Sequence, residues 1–243
     1  MDEREMLCAL LSAICHREVA GDEITEETVT KAIGQVNQMR VENRQLQNLS
    51  VGVIFAMLEA IEKKDNYTCR HSDRVADICL KLGKKLGKSM QEQKALYYAA
   101  LLHDVGKIGI PDEVIHKNTR LSDEEYNTIK GHPVIGSEIL NMITEIPEID
   151  VGARYHHERF DGRGYPEGLA GENIPEIARI VAVADCFDAM TSQRTYNKPM
   201  DLQQAREQFV KGSGTQFDPL YAQTMVEIID EALAAGCTNG EDI

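Results

Sequence analysis

Five of the seven histidines, His71, His103, His132, His156 and His157, fall in a dispersed series with Asp104 and Asp185. Imidazole nitrogens and carboxylate oxygens together suit divalent first-row metals, and these seven candidate ligands exceed what one tetrahedral ion needs, so the series points to a site for two ions. Paired ions suit phosphoester chemistry. Two cations bridged by a carboxylate such as Asp104 lower the pKa of a shared water toward about 7 and bind the non-bridging phosphate oxygens as charge develops. Asp185 lies at the end of the apolar run Ile180–Ala184, where an unpaired carboxylate would be costly to bury. It requires a metal or a strong partner, and Arg179 and Arg194 are the alternatives to a metal.

These residues must be positioned by helices. The apolar period is helical over Val53–Lys64, Ser72–Leu86, Gln91–His103, Asp123–Lys130, Pro133–Met142, Ile149–His157, Ile174–Met190, Leu202–Lys211 and Pro219–Ala235, while strand signals are scarce. Pro111, followed by acidic residues, can open a further helix, and Pro133 and Pro219 sit where helices begin. The fold class expected is all-α. His71 stands near the start of one helix, and His103 and Asp104 leave another at its end. The adjacent His156 and His157 diverge by roughly 100° on a helix, so both reach one site only at a helix end, which the Asp161-Gly162 turn supplies.

Composition narrows the rest. A net charge of −14 argues against a protein that coats a nucleic acid polymer, and no stretch is long and apolar enough for membrane insertion. The six cysteines form no CxxC pair, which favours reduced, packed thiols and a cytoplasmic protein. Residues 1–50 form a separate N-terminal helical segment ahead of a domain over 51–243. A weak heptad seam places Val29, Val36, Asn43, Ser50 and Met57 at one position and Ala32, Met39, Leu46, Val53 and Ala60 at the other. The segment reads equally as a homodimerising coil or as a long helix packed along its own domain, and a signal-input role is open to either.

The motifs His103-Asp104-Val105-Gly106-Lys107, His132-Pro133, His156 through Pro166 and Val183 through Ala189 occur in order over about Val51–Ala235. In this the chain resembles the HD-GYP family of metal-dependent cyclic dinucleotide phosphodiesterases. The resemblance implies an HD-type helical bundle with a dinuclear site. One ion would be held by His71, His103, Asp104 and Asp185, with Asp104 bridging to a second held by His132, His156 and His157. It implies a catalytic role for Lys107 beside Asp104, a substrate-flanking loop over Arg163, Gly164, Tyr165 and Pro166, and contacts from Arg194, Tyr196 and Lys198 to substrate phosphates and bases. The substrate so implied is cyclic di-GMP, hydrolysed to linear pGpG and in some members on to GMP. Iron or manganese fits the thiolate-free ligand set, although affinity order alone also admits zinc, nickel or cobalt. Other readings are hydrolysis of a mixed cyclic GMP-AMP or another nucleoside phosphate, and a receptor that binds without cleaving. The chain departs from the family in having Tyr67 where three-metal members have glutamate, which argues for two ions, and in placing Lys198 one step late in the Arg-Pro-Tyr-Lys segment. His16 and His116 match no ligand position.

Overall fold

A computed structural model describes residues 70–243 apart from 118, 144–145, 194–197 and 241–242, together with scattered positions between 34 and 59. The chain divides into two compact units, residues 1–56 and 57–243. Tyr67, Arg194, Tyr196, His16 and most of the proposed heptad seam lie outside the described residues.

In the second unit, helix α1 (His71–Lys85) is amphipathic, burying Val75, Ala76, Ile78, Cys79 and Leu82 while Asp73 lies in its first turn and Lys84 and Lys85 in its last. That charge order complements the helix dipole. Helix α2 (Met90–Leu102) opens on a capping box in which Ser89 accepts from the Glu92 N–H and Glu92 reaches back to the Ser89 N–H. Its second half, Ala99 to Leu102, is wholly buried. A 3₁₀ turn (Val105–Gly109) leads into the short α3 (Asp112–Ile115), opened by Pro111. Helix α4 (Asp123–Ile129) has its own capping box, Ser122 with Glu125, and buries no residue. Helices α5 (His132–Leu140) and α6 (Ile149–Tyr155) pack on each other, and α6 also packs on α2.

Helix α7 (Glu176–Thr191) is the central element, touching α1, α2, α6, α8 (Leu202–Gly212) and α9 (Pro219–Ala234). Ile180, Val183 and Phe187 along it are at most 1% exposed. Burial of side chains of this size stabilises by roughly 1.5–3 kcal/mol each. The unit is therefore all-α, and among the described residues there is no strand, only isolated bridges such as Asp161 with Ala170. The expected helices from Ser72 onward are observed with ends displaced by one or two residues.

Two glycines let the backbone close up where the ligands lie. A Cβ on Gly106 would stand 1.9 Å from the His132 carbonyl and 2.4 Å from the Gly136 amide nitrogen. The 3₁₀ turn thus rests directly on the first turns of α5. Gly164 similarly lies against the backbone of His157, Glu158 and Arg159.

Candidate metal centre

Helix ends deliver the ligands. His103 and His156 are the C-cap residues of α2 and α6, His71 and His132 are the first residues of α1 and α5, and Asp185 projects from the middle of α7. His71, His103, Asp104, His132 and His156 are all buried, whereas His157 and Asp185 are partly exposed. Three groups have ligand atoms within 4.8 Å of one another: His71, His103 and Asp185; His103, Asp104 and His156; and His132, His156 and His157.

Asp104 lies between these groups and divides its oxygens. Its Oδ2 faces His103 Nε2 at 3.4 Å, His71 Nε2 at 3.9 Å and Lys107 Nζ at 2.7 Å. Its Oδ1 faces His132 Nε2 at 3.2 Å and His156 Nε2 at 3.9 Å. On the first side, Asp185 Oδ1 lies 3.4 Å from His71 Nε2 and 4.0 Å from His103 Nε2. Arg179 is not the partner of Asp185; it pairs with Asp218.

Each of the four buried imidazoles is held through its other nitrogen. Nδ1 of His103 lies 2.6 Å from the Ala100 carbonyl, that of His132 2.7 Å from the Ile129 carbonyl and that of His156 2.7 Å from the Ala153 carbonyl, three residues back each time. A carbonyl can only accept, so Nδ1 carries the proton and Nε2 presents its lone pair to the centre. His71 differs: its Nδ1 donates to Asp188 Oδ2 at 2.6 Å. Nε2 of His103 is buried and has no hydrogen-bond partner. A buried lone pair without a donor is costly in a purely structural imidazole and is what a cation satisfies. The Nε2 atoms of His71, His103, His132 and His156, gathered around the Asp104 and Asp185 carboxylates, fit divalent metal ions, with any of the expected first-row metals compatible with the donors.

The electrostatics agree. Burial works to raise the Asp104 carboxyl, but Lys107 and the neighbouring His103 and His132 outweigh it and hold it well below the usual carboxylate range. Burial likewise opposes ionisation of Asp185, and the hydrogen bond from His71 together with the neighbouring His103 holds it far below its ordinary value. Burial keeps His156 neutral well below its ordinary value and pushes His157 down to about 4. Burial also works against charging His71, yet Asp185 and Asp188 raise it to about 9. Ionised carboxylates and neutral imidazoles are the forms that bind a cation, and the proton on His71 is the one an incoming cation would displace.

Beside His157 runs the loop over Arg163 to Pro166. The Tyr165 ring lies 4.7 Å from that of His157, and the Tyr165 N–H donates to the His157 carbonyl. Arg163 is exposed and its N–H donates to Asp161, and Lys198 is exposed. His116 is exposed at the end of α3 and is absent from the three ligand groups.

A family model for the HD domain matches residues 56–220. The chain belongs to the HD-domain family. This HD domain is 42% identical over 182 residues to the cyclic di-GMP phosphodiesterase response regulator RpfG of Xanthomonas campestris, covering 74% of the chain and 47% of that protein. It is 39% identical over 152 residues to the 3'3'-cGAMP-specific phosphodiesterase 1 of Vibrio cholerae, covering 63% of the chain and 35% of that protein. Its fold is similar to the crystal structure of a cyclic GMP-AMP specific phosphodiesterase of V. cholerae, with a TM-score of 0.58 at 18% identity over 76% of the chain and 49% of the other. The HD domain therefore spans about half or less of the length of these relatives. The resemblance to the HD-GYP family and the all-α expectation agree with these findings. Among the described residues no helix is long and apolar enough to cross a membrane.

Sequence reasoning gave no role to three residues that shape this centre. Asp188 accepts from His71 Nδ1. Buried Glu158 accepts from the Glu167 and Gly168 N–H groups at 2.8 and 3.0 Å, fastening the loop that carries Tyr165. Gly106 lets Asp104 approach His132. Asp188 and Glu158 were visible as acidic residues inside the matched motifs, but nothing in their spacing told them from solvated charges.

Proposed function

We propose that this HD domain is a metal-dependent phosphodiesterase that hydrolyses cyclic di-GMP to linear pGpG, and on to GMP if the first product is retained. The observation that carries the reading is the division of Asp104, whose two oxygens face two different histidine groups. That is the arrangement expected of a carboxylate shared by two cations. Two bound divalent ions, iron or manganese on this donor set, would supply Lewis acidity at the phosphate and a water acidified toward neutral pH.

The chain's own residues do the remaining work. His71, His103, Asp104 and Asp185 would hold one ion, and His132, His156 and His157 the other with Asp104. Lys107, whose ammonium lies 2.7 Å from Asp104 Oδ2, places a positive charge at the rim of the centre, where it offsets phosphate charge in the transition state. Tyr165, its ring tilted beside that of His157 on the loop that Glu158 fastens, with Arg163, Gly164 and Pro166 around it, would form a wall against which a nucleotide rests. Arg194, Tyr196 and Lys198 are proposed as further substrate contacts. Residues 1–50 are assigned a dimerising or signal-input role ahead of a domain over 51–243, in a cytoplasmic protein.

A second substrate, cyclic GMP-AMP, is favoured by a specific observation, the 39% identity to a 3'3'-cGAMP-specific enzyme. The deciding experiment is parallel turnover of cyclic di-GMP, cyclic GMP-AMP and a mononucleotide by metal-replete protein, with product analysis. Preference for the mononucleotide would reject the cyclic dinucleotide reading. Undiminished turnover in both His103→Ala and Asp104→Ala would reject the metal mechanism, and tight binding without turnover would make the protein a receptor.

A further inference from the structure

Asp185 and Asp188 stand three residues apart on α7 and so share one face of it. The imidazole of His71 lies against that face, with Nε2 3.4 Å from Asp185 and Nδ1 2.6 Å from Asp188. Asp188 is 2% exposed and both its oxygens are engaged: Oδ2 accepts from His71 and from Arg74 Nη2 at 3.1 Å, Oδ1 from Arg74 Nε and from Ser192 Oγ at 2.7 Å. Four donors on one carboxylate leave it no freedom to rotate. The bidentate Arg74 contact fixes its plane, and Ser192, one turn further along the same helix, fixes its tilt.

A cleft of about 330 Å³ has Arg74, Asp188 and Ser192 in its lining together with Asp77, Lys81 and Lys84, and His71 does not line it. Asp188 is thus part of the wall between this cleft and His71. The other three buried imidazoles bond through Nδ1 to carbonyls of their own chain segment, so His71 is the one buried imidazole of the group whose Nδ1 partner is a side chain.

We infer that Asp188, clamped by Arg74 and Ser192, is the positioning residue that aims Nε2 of His71 into the centre, and that its loss can be made good by a small carboxylate entering from the cleft. The inference rests on the metal reading above and adds to it a residue that touches neither ion nor substrate. The carboxylate accepts the Nδ1 proton and so leaves the Nε2 lone pair toward the metal, as a carboxylate–histidine–metal relay requires. Removing such a partner typically costs about 10–100-fold in metal affinity.

The test is manganese(II) titration of the full chain, followed by the EPR signal of the free aqueous ion, for wild type, Asp188→Ala and Asp188→Asn. The expected result is two bound ions in wild type and, in both variants, about 10–100-fold weaker binding of one ion with the other unchanged. Added formate should restore the lost affinity in Asp188→Ala, where the vacated space opens on the cleft, and not in Asp188→Asn, where an amide fills it. Asp188→Asn also keeps the packing, so the test survives if Asp188→Ala does not fold. Wild-type isotherms in both variants would overturn the positioning role, as would equal weakening of both ions that formate does not reverse. A wild type that binds no manganese would instead overturn the metal reading itself.

Discussion

The closest backbone approach at the centre offers a direct test of how the fold sets its geometry. In Gly106→Ala the new Cβ would lie 1.9 Å from the His132 carbonyl oxygen and 2.4 Å from the Gly136 amide nitrogen. Non-bonded heavy atoms rest at roughly 3.5 Å, so the 3₁₀ turn and α5 must separate by more than about 1 Å. Neither contact is the end of a flexible side chain, so no rotamer change relieves it. The separation falls on the 3.2 Å gap between Asp104 Oδ1 and His132 Nε2, because Asp104 and His132 sit on the two parting segments. Overpacking of this kind costs about 1–3 kcal/mol of stability. A chain of this size loses about 2–4 °C in Tm per kcal/mol. A misplacement near 1 Å also costs on the order of 100-fold in turnover. The assay pairs thermal melting with manganese titration and cyclic di-GMP turnover. Gly136→Ala serves as the milder comparison, since its Cβ would meet the Gly106 nitrogen at 3.2 Å. Wild-type manganese affinity and turnover in Gly106→Ala would refute the claim that this glycine sets the distance between Asp104 and His132.

Other substitutions separate the parts of the centre. Asp104→Asn should abolish binding of both ions, because the residue faces both histidine groups; metal analysis after anaerobic purification checks this, and retention of one ion at full affinity would contradict the shared role. Glu158→Gln loses its charge-assisted bonds to the Glu167 and Gly168 amides, each worth about 1.5–3 kcal/mol. Its effect should appear as a raised KM with unchanged metal content, and a loss of metal instead would place Glu158 in the ligand frame. Arg179→Met strands the buried Asp218 carboxylate and should cost about 3–5 kcal/mol by denaturant unfolding while leaving manganese affinity intact. Chelation of the purified protein should lower its melting temperature and manganese should restore it, since an ion held by the folded chain alone stabilises that state; equal melting with and without metal would argue against a built site.

The fold was legible where the apolar period is long. The stripes of α1, α7 and α9 and the prolines that open α5 and α9 locate those helices within a residue or two. The ligand series was legible because histidines and aspartates next to apolar runs have few inexpensive roles. What the sequence did not disclose depends on contacts between distant segments. Asp185 and Asp188 look alike along α7, and only the placement of His71 between them assigns one to the centre and the other to its rear. Gly106 reads only as a member of the His103 to Lys107 motif until the backbone of α5 is seen against it. Glu158 reads as a charge beside two histidines until its carboxylate is found under the loop. The 3₁₀ turn carrying Lys107 has no period of its own and is shaped by what it packs on.

Three of the four buried imidazoles take their aim from a carbonyl three residues earlier, a partner present as soon as one helical turn exists. The fourth, His71, takes it from a residue 117 positions downstream. The centre therefore takes three of these rings from local parts and the fourth from a long-range closure. A chain in which α7 has not yet docked could present correctly turned ligands at one end and an unguided ring at the other. Tight metal binding at the His71 half would then report that the first and seventh helices of the bundle have met, and an ion held there would act as a latch on the finished topology.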